Sequence, residues 1–142
     1  MSGAFDEELR AGIRAPYLIR RGLRGWLRAL GWPEMEAGDL ILAVSEAVSN
    51  VVEHAYQAGR PGTVRVRAER SVEAEKSARV VVTVTDRGRW HEPSTEPTNR
   101  RRGIPMMRAI ADSVDVLGGA DGTRVRLVSR PVPIGALASL PC

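Results

Sequence analysis

The sequence predicts a two-layer α/β sandwich, with one mixed, mostly antiparallel sheet and helices packed on a single face. Three observations carry that expectation. Two helical patterns open the chain, β-forming runs follow with several strands adjacent in order, and 43% apolar residues in a chain of 142 suffice for one core but not two. Helices are too few, and strands too often neighbours, for a doubly wound parallel sheet.

Phe5 to Leu9 reads either as a short edge strand or as an ordered lead-in. From Pro16, a residue suited to a first helical turn, Ile19, Leu23, Trp26, Leu27 and Leu30 recur at helical spacing until Gly31, Trp32 and Pro33. Arg20, Arg24 and Arg28 line another face of this helix, the pattern of a solvated stripe. Asp39 is placed to cap a second helix that reaches Tyr56, after which Gly59, Pro61 and Gly62 turn the chain. Two strands come next, Thr63 to Ala68 and Arg79 to Thr85, joined by a polar turn from Glu69 to Ala78. Asp86 to Arg102 is a long loop. A helix follows from Ile104 to Ala111, with Pro105 in its first turn. A closing hairpin pairs Val114–Leu117 with Thr123–Val128. Residues 1–130 form the predicted domain and residues 131–142 a tail.

Composition narrows the class of function. The net charge is +4, and 20 of the 21 basic residues are arginine, spread along the chain, with Lys76 the single lysine. That balance suits acidic partners or phosphates without demanding nucleic acid. Cys142 is the sole cysteine, so neither an internal disulfide nor a cysteine metal site can form. No apolar run approaches the ~20 residues of a membrane span, and acidic residues stand where a signal peptide would be basic. The expected location is the cytoplasm. The phosphate-binding pattern G-x-x-x-x-G-K-[ST] is absent, and so is the dinucleotide fingerprint.

Chemistry concentrates in four places. Leu40 to Tyr56 sets Glu46, Asn50 and His54 four residues apart on one ridge of a helix whose opposite face is Leu40, Val44, Ala47, Val48, Val51 and Ala55. A carboxylate, an amide and an imidazole therefore project together. Asp86 ends a strand and is followed by Gly88, which permits close approach to the backbone while the carboxylate accepts a hydrogen bond. Gly103 precedes a helical first turn, Ile104 to Met106, with Arg100, Arg101 and Arg102 just before it, a setting that favours anions. Gly122 and Thr123 bring a tight turn and a hydroxyl to the mouth of the last strand. Each is an ordinary feature alone: a wet helix face, an Asp-x-Gly turn, a basic loop before a helix. Together they surround one cavity between the helix layer and the loop.

Taken in order, LAVSEAVSNVVEHAY, VTDRGRW, RRGIPMMRAIADSVDV and GTRVRL resemble the GHKL-type ATP-binding domains, and among them the small serine kinases that act as anti-sigma factors in bacteria. The resemblance spans roughly Phe5 to Val128 and implies a Bergerat-type ATP-binding fold, ATP and Mg2+ as cofactors, and a role for each matching position. Glu46 is then the catalytic base and Asn50 the magnesium ligand. Asp86 takes the adenine amino group, Gly88 leaves space for the ring, and Thr123 assists. Arg102, Gly103 and Ile104 hold phosphates beneath a lid formed by Arg89 to Arg102, and His54 is structural. Arg101 stands where many relatives carry a second glycine, and Trp90 replaces a glycine common after Asp-x-Gly-x. The implied partners are a STAS-type anti-anti-sigma protein, a sigma factor and a second copy of the chain, with neither membrane nor direct nucleic-acid contact. Two alternatives stand beside this reading, an ATP-binding module without kinase activity and a basic nucleic-acid-binding domain.

Overall fold

The computed structural model describes residues 3–56, 62–73, 76–88, 99–119 and 121–133. Its order is β1 (Phe5–Arg10), α1 (Ala15–Leu30), α2 (Glu34–Asn50), a π-helical turn (Val51–Ala55), β2 (Thr63–Glu73), β3 (Ser77–Asp86), α3 (Asn99–Ile110), β4 (Ser113–Gly119), β5 (Gly122–Val128) and β6 (Val132–Pro133). The strands form one sheet in the order β1-β2-β3-β5-β4, with β6 on β3. Every pairing among the described strands is antiparallel, so the antiparallel majority expected from sequence holds and no parallel pair joins it.

Alternation decides which face the helices cover. Along β3, Ala78, Val80, Val82, Val84 and Asp86 are buried while Arg79, Val81, Thr83 and Thr85 are only half-buried. Val64, Val66 and Ala68 of β2, Leu127 of β5 and Val114 of β4 extend that buried face. Above it, α2 packs on β3 and β5 and is flanked by α1 and α3. Ile19, Leu23 and Leu27 form the inward stripe of α1, and Leu40, Val44, Ala47 and Val48 that of α2. The helix layer is thus built from the two apolar stripes that the sequence displays.

Several boundaries differ from expectation for identifiable reasons. Gly31 adopts the left-handed conformation (φ 76°) and its N–H donates to the Arg28 carbonyl, closing α1. This tight cap lets α2 begin at once, at Glu34 with Pro33 as N-cap, so Asp39 lies exposed inside the helix and does not cap it. Glu34 and Glu36 in the first turn complement the helix dipole instead. The polar segment expected to be a turn from Glu69 to Ala78 is mostly ladder: β2 and β3 pair out to Glu73↔Ser77, around Lys76 at φ 65°. Arg70, Ser71 and Val72 are exposed, so this end of β2 shows no buried alternation, although Ala78 and Val80 beside it on β3 are buried. The expected tail opens with β6, in register with β3 through Ala78↔Val132.

Edge strand β1, left open between strand and lead-in, pairs with β2 over its whole length. The Arg65 guanidinium grips the Asp6 carboxylate with two hydrogen bonds, 2.9 and 2.7 Å. The hydrogen bond from Arg65 holds the Asp6 carboxyl below its ordinary value of 3.8. A carboxyl depressed in the folded state favours folding at higher pH and loses that contribution as pH falls through its folded value. Acid titration below pH 3.8 is therefore expected to speed amide exchange in β1 ahead of β3. Because the pair is solvent-exposed, molar salt should shrink the difference between native protein and Arg65→Ala.

Candidate functional site

Helix α2 delivers the first group of side chains. Glu46 and Asn50 sit one turn apart and are both half-buried, with Ala47, Val48 and Val51 buried behind them. Beyond Asn50 the expected regular helix gives way to a π turn, Val51–Ala55. The wider i→i+5 turn takes His54 off the strict i, i+4 line, and its Nε2 lies 3.5 Å from a Glu53 carboxylate oxygen. A pattern counted at 3.6 residues per turn cannot reveal such a change. Tyr56 then leaves the helix in an extended conformation (φ −120°, ψ 145°).

The second group gathers where the helix ends. Asp86, 6% exposed, closes β3, and its Oδ1 accepts the Gly88 N–H at 2.9 Å, folding the chain into a tight Asx turn. Gly88 rests directly on the π turn: a Cβ there would stand 2.0 Å from the Ala55 carbonyl oxygen. Its missing side chain thus serves contact between turn and helix end. Across the sheet, Thr123 of β5 is the register partner of Asp86 and is itself buried. Gly122, at φ 138°, presses against the Asp86 carbonyl, where a Cβ would come within 2.1 Å, so β3 and β5 can meet this closely only through glycine. Asp86, Gly88 and Thr123 are thereby assembled at the C-terminal end of the α2–π helix. Asn50 lies about 7 Å back along that helix and Glu46 one further turn, at ~1.5 Å rise per residue.

One contributor was not singled out by the sequence. The Tyr56 hydroxyl accepts the Arg87 N–H at 2.9 Å and donates to the Thr63 carbonyl at 2.6 Å. Its signal was a lone aromatic with a polar tip, placed between the helical ridge and a glycine-proline turn.

The phosphate side departs from the sequence expectation. Helix α3 starts at Asn99, so Gly103 and Ile104 fall inside it and do not form its entrance. Arginines are good helix formers and carry the helix back through residues 100–102, whereas Gly103 and Pro105 had read as start signals. The unpaired N–H groups of a first turn therefore belong to Asn99 through Arg102. The side chains of Arg102 and Ile104, and the lid segment 89–98 with Trp90 and His91, lie outside the described residues.

Such a site offers a buried acceptor beside a hydroxyl, a flat backbone approach, and a carboxylate with an amide on the adjoining helix. That donor set fits a planar heterocycle bearing an N–H group at one end and a hydrated hard cation at the other. Among the described residues, no helix is long and apolar enough to cross a membrane.

Comparison with known proteins bears on the family and the fold. The sequence profile of the histidine kinase-like ATPase domain matches residues 10–129. The serine-protein kinase RsbW of Bacillus licheniformis is 39% identical over 62 residues, which is 42% of this chain and 39% of that protein. Among solved structures, the RsbU and RsbW domains of Rv1364c from Mycobacterium tuberculosis share the fold at a TM-score of 0.70 and 30% identity, over 92% of this chain and 33% of that one. The blue-light activated histidine kinase EL346 of Erythrobacter litoralis gives 0.52 and 29%, over 68% and 31%. This chain thus spans 39% of the first relative and about a third of the other two. With that profile covering most of its length, the chain belongs to the histidine kinase-like ATPase domain family.

Proposed function

We propose that the chain is an ATP- and magnesium-dependent protein serine kinase of the anti-sigma type. It phosphorylates a serine on a small STAS-type anti-anti-sigma protein, and it exchanges that partner for a sigma factor that it holds inactive. It works in the cytoplasm as a homodimer. The observation that carries the reading is the cluster of buried Asp86, Gly88 and Thr123 at the end of the helix that bears Glu46 and Asn50.

Each residue has a chemical task in this reading. The Asp86 carboxylate accepts a hydrogen bond from the adenine amino group, with the Thr123 hydroxyl beside it and the Gly88 backbone beneath the ring. The Asn50 amide oxygen is a hard donor suited to magnesium, which when bound neutralises the phosphate charge. Glu46 accepts the proton of the partner's serine hydroxyl as its oxygen bonds to the γ-phosphorus, while the bond from that phosphorus to the bridging oxygen breaks and ADP leaves with the electron pair. The unpaired backbone N–H groups at the start of α3, those of Asn99 through Arg102, hold phosphate oxygens.

Calorimetry with ATP and magnesium, followed by phosphate transfer to STAS-type proteins encoded nearby, tests the reading. Magnesium-dependent binding and a phosphoserine on the partner are expected. Binding without transfer to any of them would favour an ATP-binding module. Indifference to adenine nucleotides, with steeply salt-dependent binding to DNA or RNA, would favour the nucleic-acid reading.

A further inference from the structure

We infer that the Tyr56 hydroxyl is a positioning group for the nucleotide site, a wedge that ends one rung of the sheet so that the Asp86–Gly88 turn can rest on the helix. The inference builds on the ATP-binding reading above. The last register pair between β2 and β3 is Val64↔Asp86, so the next would be Thr63 opposite Arg87. In its place stands the tyrosine oxygen, which takes the Arg87 N–H at 2.9 Å and gives its own proton to the Thr63 carbonyl at 2.6 Å. A hydroxyl has the one donor and the lone pairs this bridge requires, so both backbone groups are satisfied without the strands closing on each other.

Freed from the ladder, Arg87 and Gly88 turn out of the sheet. Gly88 then reaches the Ala55 carbonyl and donates its own N–H to Asp86. The tyrosine follows Ala55 directly, so one short segment supplies both the surface on which the turn rests and the hydroxyl that holds it. The ring is fixed in turn by Gly62, where a Cβ would meet it at 2.2 Å. Tyr56 therefore acts on adenine recognition through the turn and not by contact with the nucleotide.

Tyr56→Phe keeps the ring against Gly62 and removes only the bridge. Amide exchange at Gly88 is expected to rise about tenfold, since a lost hydrogen bond of this kind shifts a local equilibrium by roughly that factor. Affinity for ADP is expected to fall about 3- to 10-fold. The KM for ATP should rise in step while kcat at saturating ATP stays near the native value, a split that a general loss of folding would not produce. Unchanged Gly88 exchange, or ADP affinity that falls only in proportion to a lowered Tm, would overturn the inference. The exchange measurement needs no nucleotide, so it judges the wedge even where the native protein fails to bind ADP and the kinase reading falls.

Discussion

Glu46→Ala is expected to abolish phosphate transfer to the partner serine, by about 10²- to 10⁴-fold, while leaving the affinity for ADP within about twofold of native. The loss is the usual span for removing a general base. Glu46 is half-buried on α2, a turn away from Asn50 and two turns from the contact with Gly88, so its truncation removes the base without touching the floor of the pocket. The residues that hold α2 in place, Ala43, Val44, Ala47 and Val48, lie on its other side and are untouched. Thermal unfolding of the variant should therefore shift little. Phosphorylation followed with labelled ATP, beside calorimetry with ADP, separates the two effects. A variant that still transfers phosphate at a near-native rate would remove Glu46 from the chemistry. Asn50→Ala provides the contrast: transfer falls there too, but the dependence of nucleotide affinity on magnesium falls with it.

How much of this was legible in the sequence depends on which forces fix each element. Core helices and central strands were legible because burial imposes a period: Ile19, Leu23 and Leu27 at helical spacing, Val80, Val82 and Val84 at alternation. Where burial does not operate, the pattern gave no guidance. The outer half of β2, from Glu69 to Val72, is exposed at every residue and shows no buried alternation, so a sequence pattern reads it as a turn. The start of α3 is arginine-rich, and the glycine and proline inside it imitate a helix entrance. The candidate site divides the same way. Residue types exposed Glu46, Asn50, Asp86 and Thr123 as chemistry out of place in apolar surroundings. Tyr56 and the load on Gly88 depend on where a π turn delivers the chain, and no one-dimensional period encodes that.

Gly88→Ala is the substitution expected to damage the site most through structure alone. A methyl group there would stand 2.0 Å from the Ala55 oxygen, 2.6 Å from its carbonyl carbon and 2.8 Å from its Cβ. Two of these are backbone atoms of the π turn, which cannot swing aside as the end of a long side chain can. The turn must lift off the helix, and with it go the Asp86 hydrogen bond to the Gly88 N–H and the Tyr56 bond to Arg87. Overpacking of this kind costs about 1–3 kcal/mol, which lowers Tm by several degrees at roughly 2–8 °C per kcal/mol for domains of this size range. ADP binding should fall below detection by calorimetry, because the flat approach to the heterocycle is lost along with the carboxylate's orientation. Gly25→Ala is the control. That glycine lies exposed inside α1, and a methyl group added to it would meet nothing within 4 Å, so alanine there should raise stability by about 0.4–1 kcal/mol and leave nucleotide affinity alone. If Gly88→Ala binds ADP as the native protein does, contact between the turn and the helix end is not what shapes the pocket.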